Sequence, residues 1–362
     1  MSKRLYGLDL LKIVAMIFII GLHFNYRTGA LANFAFTDGR FYPTSISEAI
    51  FYVSVDCFVL VTGYFDILKK KVNVKRLVHL VLAVWFYSWA GLLVGLMTGV
   101  RPSLNQLLMC VLPFTTEHYW FIDVYLILIL LTPFINMAIA NIDQKGYKGI
   151  LLVSLIGFSF LPSFMPFTSE IFSLNGGANI VWFVILYLIG GYLRLYNPFE
   201  RVSSKKLILG FTGLSFITFS VKLAAQMMVA FLFSGKHIGG GVLYHHNSIT
   251  VIAAAVLLFV VMQRLVISDI AGRKISAVAA CTFGVYLGHE HELFRMSFWQ
   301  GLVSYLPLSP LFWTFVMVGV ILSVFCLFLA VEAARKKLFT VLRIDEMGNR
   351  IASYFERRAQ AF

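Results

Sequence analysis

Residues 5–26 read LYGLDLLKIVAMIFIIGLHFNY, an apolar run that carries a cation, Lys12, and an imidazole, His23. Twenty or so consecutive apolar residues make a helix that spans a bilayer. A basic pair, Lys3-Arg4, precedes the run as it precedes a signal peptide. No small-residue cleavage site follows and Lys12 breaks the apolar core, so the run is expected to persist as a first transmembrane helix. Further runs of the same kind fall at 46–67, 77–98, 119–140, 148–166, 179–196, 206–233, 247–267, 277–295 and 310–334. They are continuous rather than alternating, which excludes a β-barrel. The expected fold is an all-α integral membrane protein of about ten transmembrane helices. A shorter apolar stretch, 104–114, reads as re-entrant or interfacial.

Composition agrees. Of 362 residues 59% are hydrophobic and only 13% charged, and mean hydropathy is +0.83. A soluble domain is about 25% charged, so a water-soluble enzyme and a disordered chain are both excluded. The net charge of +13 would point to nucleic acid in a soluble protein. Its distribution points elsewhere. With the N-terminus placed inside, 23 of the 30 Lys and Arg fall on inner segments, five outside, and two, Lys12 and Lys222, within spans. That asymmetry is the positive-inside pattern, with contact to anionic lipid. It implies a multi-pass protein of the cytoplasmic membrane, both termini cytoplasmic, with no nucleic-acid partner. A membrane domain over 1–342 and a basic interfacial tail over 343–362 are expected. The four cysteines, Cys57, Cys110, Cys281 and Cys326, lie in apolar runs without metal spacing and read as packed thiols.

Ionisable residues inside a membrane are costly and mark function. Lys12 and His23 are eleven residues apart, on one face of one helix, about 16 Å along its axis. His118, His237, His245, His246, His289 and His291 lie with His23 toward the outer side, accompanied by Glu117, Asp123, Glu290 and Glu292. Imidazole beside carboxylate is what general-base chemistry needs. In the run Gly288-His289-Glu290-His291-Glu292, helical spacing would put His289 and Glu292 on one face. His-Glu-His-Glu is not a zinc spacing, and no metal site is expected. Asp56 falls mid-span, with His23, Lys12 and Lys222 as candidate partners. Gly91, Gly95 and Gly99 form a small-residue face for close helix packing. The outer loop Gly239-Gly240-Gly241 is not a phosphate cradle, because no ATP lies on that side.

Lys12 and His23 in the first run, Phe58 to Tyr64 in the second, Trp120-Phe121, and Val285 to His289 together resemble acyltransferase family 3, the bacterial membrane O-acyltransferases of cell-surface glycans. The family's first helix carries a cation, ten residues and a histidine, matched by Lys12 and His23, with Lys where Arg is usual. The Phe-Phe-x-x-Ser-Gly-Tyr pattern is similar to Phe58-Val59-Leu60-Val61-Thr62-Gly63-Tyr64, followed by a basic segment, Lys69 to Arg76. Trp120-Phe121 and Val285-Tyr286-Leu287-Gly288-His289 match two further motifs. Ser323 and Glu332 echo a late Ser…Glu-x-Pro whose proline is missing. The resemblance covers essentially the whole chain.

It implies an enzyme that moves an acyl group, in the first instance acetyl from acetyl-CoA, from the cytoplasm to a hydroxyl of a cell-surface or lipid-linked glycan. His23 would act as general base or become the acyl carrier. Lys12 would stabilise the thioester arm or developing charge, and Asp56 or Glu290 would orient the imidazole, beside His289. Lys75 and Arg76 would hold CoA phosphates. Trp120, Tyr119 and Tyr42, with His118 and Asp123, would meet the acceptor. Some relatives carry an appended esterase-like domain. Without one, the membrane domain finishes the transfer itself, a separate extracytoplasmic partner does, or the acceptor is a lipid-linked precursor. A polysaccharide or solute transporter, or a ligand-sensing membrane moiety, is the alternative.

Overall fold

A computed structural model describes residues 4–358, apart from 115, 117, 166–169, 234–242, 296–297, 300 and 302–308. His237, Glu117 and Gly239 to Gly241 lie outside the described residues. Those described form helices and turns, without a strand. The helices are α1 (Tyr6–Arg27), α2 (Phe41–Asp66), α3 (Val74–Met97), the short α4 (Leu104–Val111), α5 (Trp120–Ala140) and α6 (Gln144–Phe164). There follow α7 (Ile180–Tyr196), α8 (Ser204–Leu232), α9 (Ile249–Gln263), α10 (Asp269–His289), α11 (Pro310–Val341) and α12 (Ile344–Arg358).

Ten of them occupy the ten apolar runs in order. Eight are long and apolar enough to cross a membrane by themselves. A ninth span results if α7 is joined to Glu170–Gly177, from which it is bent by 70°. The last, α9, is apolar but only 15 residues long. Large apolar side chains such as Phe134, Phe216 and Phe231 are exposed around the bundle, as a lipid-facing surface requires.

Helix α1 runs through the middle, packed against α2, α9, α10 and α11. Its apolar face is buried through Leu8, Leu11, Ala15, Ile20 and Phe24. The α2–α7 seam is closely packed. A Cβ on Gly63 would lie 2.1 Å from the Tyr187 carbonyl oxygen, and one on Gly190 2.3 Å from that of Leu60. Small residues let the backbones touch.

Three expectations need correction. Helix α10 ends at His289, so Glu292 does not share a helical face with it; Glu292 pairs with Arg295 instead. Gly91 and Gly95 receive no helix. They receive the His291 ring and the Leu293 side chain from the segment after α10, while Gly99 faces open space. Three cysteines are buried, but Cys326 is exposed on α11. The stretch at 104–114 forms α4, capped by Ser103 and Gln106 and tied to α3 where the Ser88 hydroxyl donates to the Cys110 carbonyl at 2.7 Å. The tail forms α12, which lies along α3 with Asn349 Oδ1 3.0 Å from His79 Nε2.

Candidate functional site

A cavity of about 680 Å³ follows one side of α1. At one end its wall carries Lys12, Lys69, Arg76, Arg335 and Lys336; at the other it carries His23, Trp120, His246, Tyr52 and Glu48. We call these the basic end and the histidine end. The middle is apolar and aromatic, with Met16, Phe58, Phe121 and Tyr286.

The histidine end is built by bringing α1 against the end of α10. His289 Nδ1 lies 2.6 Å from the Val285 carbonyl oxygen. A carbonyl only accepts, so Nδ1 carries the hydrogen and donates it. In neutral His289 the lone pair is then on Nε2. That nitrogen is 2.9 Å from His23 Nδ1, which therefore donates to it. His23 Nδ1 is also 3.1 Å from Glu290 Oε1. With Nδ1 so engaged, His23 is left with its lone pair on Nε2. Glu290 is held by Arg27, whose Nε donates to Oε1 at 3.1 Å and Nη2 to Oε2 at 2.5 Å. The carboxylate is 4% exposed, and a buried carboxylate in such a place needs this bidentate partner. The order of hydrogen bonds, from backbone carbonyl through two imidazoles, fixes one tautomer of His23. That tautomer is a base toward whatever reaches Nε2.

Aromatic rings share this end of the cavity. The Trp120 ring lies stacked near His246, centroids 6.2 Å apart, and the Tyr52 ring is 5.2 Å from the same imidazole. Burial pushes the His246 pKa down to about 4, so it is neutral at pH 7.

At the basic end, Lys12 Nζ donates to Asp9 Oδ1 at 3.1 Å; Arg4 and Ser276 complete that carboxylate's shell. Arg76 donates to Asp66 Oδ2 at 3.0 Å and to the Tyr125 hydroxyl. Arg335 grips Glu332 with two bonds of 2.7 Å, and Tyr87 donates to the same carboxylate at 2.9 Å. At this end of the cavity five cations face two lining carboxylates, Asp66 and Glu332, which leaves a local excess of positive charge.

The structure thus brings together His23, His289 and Glu290, and places Lys12, Arg76 and Trp120 on the same cavity wall. It does not gather the others. Asp56 is fully buried and accepts from Trp182 Nε1 at 3.4 Å, not from His23, Lys12 or Lys222. Lys222 instead places its ammonium 4.7 Å from the Tyr244 ring centroid. Lys75 is exposed outside the cavity. Tyr42 is 40% exposed against Phe219, and Asp123, in the first turn of α5, is not on the cavity wall. His118 is buried against Tyr119 and His291, with ring centroids 4.2 and 5.0 Å away. Burial, aided by His291 and Arg295, pushes its pKa down to about 3.

Among the groups that escaped the sequence reading are Arg27, Arg335 and Lys336. Their signal was present as helical spacing, Arg27 four residues after His23, and Arg335 and Lys336 three and four after Glu332. No match to a curated protein or to a solved structure is found. A family model for an acyltransferase domain matches residues 5–331, from Leu5 just before α1 to Val331 within α11. The motifs on Lys12, His23, Trp120 and His289 all lie within that span, and the chain belongs to this acyltransferase family.

Proposed function

We propose that this membrane acyltransferase takes its acyl group from a cytoplasmic acyl-CoA, most simply acetyl-CoA, and transfers it to a hydroxyl of a cell-surface or lipid-linked glycan. The observation that carries the reading is the single cavity joining the basic end to His23. Lys12 and His23 stand about 16 Å apart along α1, a distance suited to an extended pantetheine arm. Lys69, Arg76, Arg335 and Lys336 would meet the nucleotide phosphates with charge-assisted bonds. Lys12 would lie along the thioester arm.

In the transfer step, His23 Nε2 takes the proton of the acceptor hydroxyl as the oxygen attacks the thioester carbonyl. The C–S bond breaks, the C–O bond forms, and the imidazolium returns its proton to the CoA thiolate. Glu290, held by Arg27, stabilises the imidazolium, while His289 fixes the ring's tautomer. Trp120 and His246 offer flat surfaces to the acceptor. The alternative, in which His23 Nε2 itself carries the acyl group, uses the same lone pair.

The test is acyl-CoA turnover by purified protein in liposomes. Release of CoA that is lost in His23→Ala, in protein that stays folded, supports the reading. A labelled acetyl group retained on wild-type protein selects the carrier route. No turnover and no acyl-CoA binding, across several acyl chains, would overturn it in favour of transport or ligand sensing.

A further inference from the structure

The same three side chains offer a second chemistry. His23 Nδ1, His289 Nε2 and Glu290 Oε1 converge within 4.8 Å of one another, from segments 266 residues apart in sequence. The pairs are closer still, 2.9 Å between the two nitrogens and 3.1 Å from His23 Nδ1 to the carboxylate oxygen. Two imidazoles and a carboxylate are a donor set for a borderline divalent ion such as Zn²⁺, which takes nitrogen and oxygen at about 2.0–2.2 Å. The outer arrangement also fits. A ligating imidazole usually donates its other N–H to a carbonyl or carboxylate, which aims the lone pair; His289 does this toward Val285. The cavity reaches His23, so an ion has a path and a water has room to complete the coordination.

We infer that this triangle is an inhibitory Zn²⁺ site. An ion there must take the lone pair of His23 Nδ1. In the resting arrangement Nδ1 carries the hydrogen and Nε2 is the base. Binding therefore moves that hydrogen from Nδ1 to Nε2, with no net proton released, and the nitrogen facing substrate loses its basicity. The Arg27 guanidinium, doubly bonded to Glu290, opposes the charge of the ion. It makes the site a reversible one rather than the seat of a resident cofactor. Ion binding stands on the geometry alone; the inhibitory consequence rests on the proposed role of His23.

The experiment separates the two. Purified full-length protein is titrated with Co²⁺, read by its visible ligand-field absorption, and the Co²⁺ is displaced with Zn²⁺. Wild type is compared with His23→Ala, His289→Ala, Glu290→Gln and, as a control, His245→Gln, an exposed histidine outside the triangle. One equivalent bound by wild type and by His245→Gln, and weakened on the order of 100-fold or more by each triangle variant, is the expected result. Acyl transfer by wild type is expected to fall over the same Zn²⁺ range and to recover with chelator. Binding that is absent, or that survives His23→Ala and His289→Ala, overturns the site. Triangle-dependent binding without any acyl transfer to inhibit would leave the site standing and remove the transfer reading.

Discussion

At the scale of the residue, the decisive fact is the direction of two hydrogen bonds. The Val285 carbonyl sets His289, and His289 sets His23. His23→Ala is expected to lower kcat on the order of 10²–10⁴-fold, the usual worth of a positioned base, measured as CoA release at saturating donor. Glu290→Gln should cost less, roughly tenfold in kcat, because His289 still accepts from Nδ1 while the imidazolium loses its counter-charge; KM for acyl-CoA should stay put. Arg76→Ala should do the opposite. It lies at the basic end, so KM for acyl-CoA should rise about tenfold with kcat little changed, consistent with one lost charge-assisted contact. His23, His289 and Glu290 were legible because ionisable residues in apolar runs are rare. Asp56 was just as conspicuous and had another use, accepting from Trp182 in the core. Hydropathy shows that a carboxylate is buried, and only packing shows which face of the helix it is on.

At the scale of the element, the ten apolar runs announced the helices, and their ends were less legible. Helix α10 stops at His289 although the polar run continues to Glu292. The stop decides the site. It turns Glu290 toward His23 and Arg27, and sends Glu292 to Arg295. Glycine spacing likewise showed where backbones come close without showing what comes close. The useful contrast is between seams. At Gly63 a new methyl would strike the Tyr187 carbonyl, whereas at Gly149 and Gly213 it would meet nothing within 4 Å. Gly63→Ala is therefore expected to destabilise by about 1–3 kcal/mol through overpacking. Gly149→Ala and Gly213→Ala, in helix interiors, should stabilise by about 0.5–1 kcal/mol. Thermal unfolding in detergent, with the three variants side by side, reads the difference, and a Gly63→Ala as stable as Gly213→Ala would mean that α2 and α7 do not touch there.

At the scale of the whole molecule, the charge along the chain and the charge along the cavity tell one story. Lys69, Arg76, Arg335 and Lys336 were counted in the sequence as markers of the inner side; in the fold the same four line one end of the cavity. A topology signal and a cationic cavity mouth are thus built from the same residues. That coincidence was not legible beforehand, because hydropathy separates loops from spans but does not say which loops meet. It makes the sidedness testable and consequential. In a Cys326→Ser background, which removes the exposed thiol, Lys70→Cys reports the basic end and Arg101→Cys the opposite one, both side chains being exposed. A membrane-impermeant maleimide added to intact cells should label Arg101→Cys at once and Lys70→Cys only after the membrane is opened. Acyl-CoA is made and kept in the cytoplasm, so the proposed donor route needs this orientation. The reverse labelling would place the cationic mouth outside, facing a compartment without CoA, and a donor of another kind would then have to enter there.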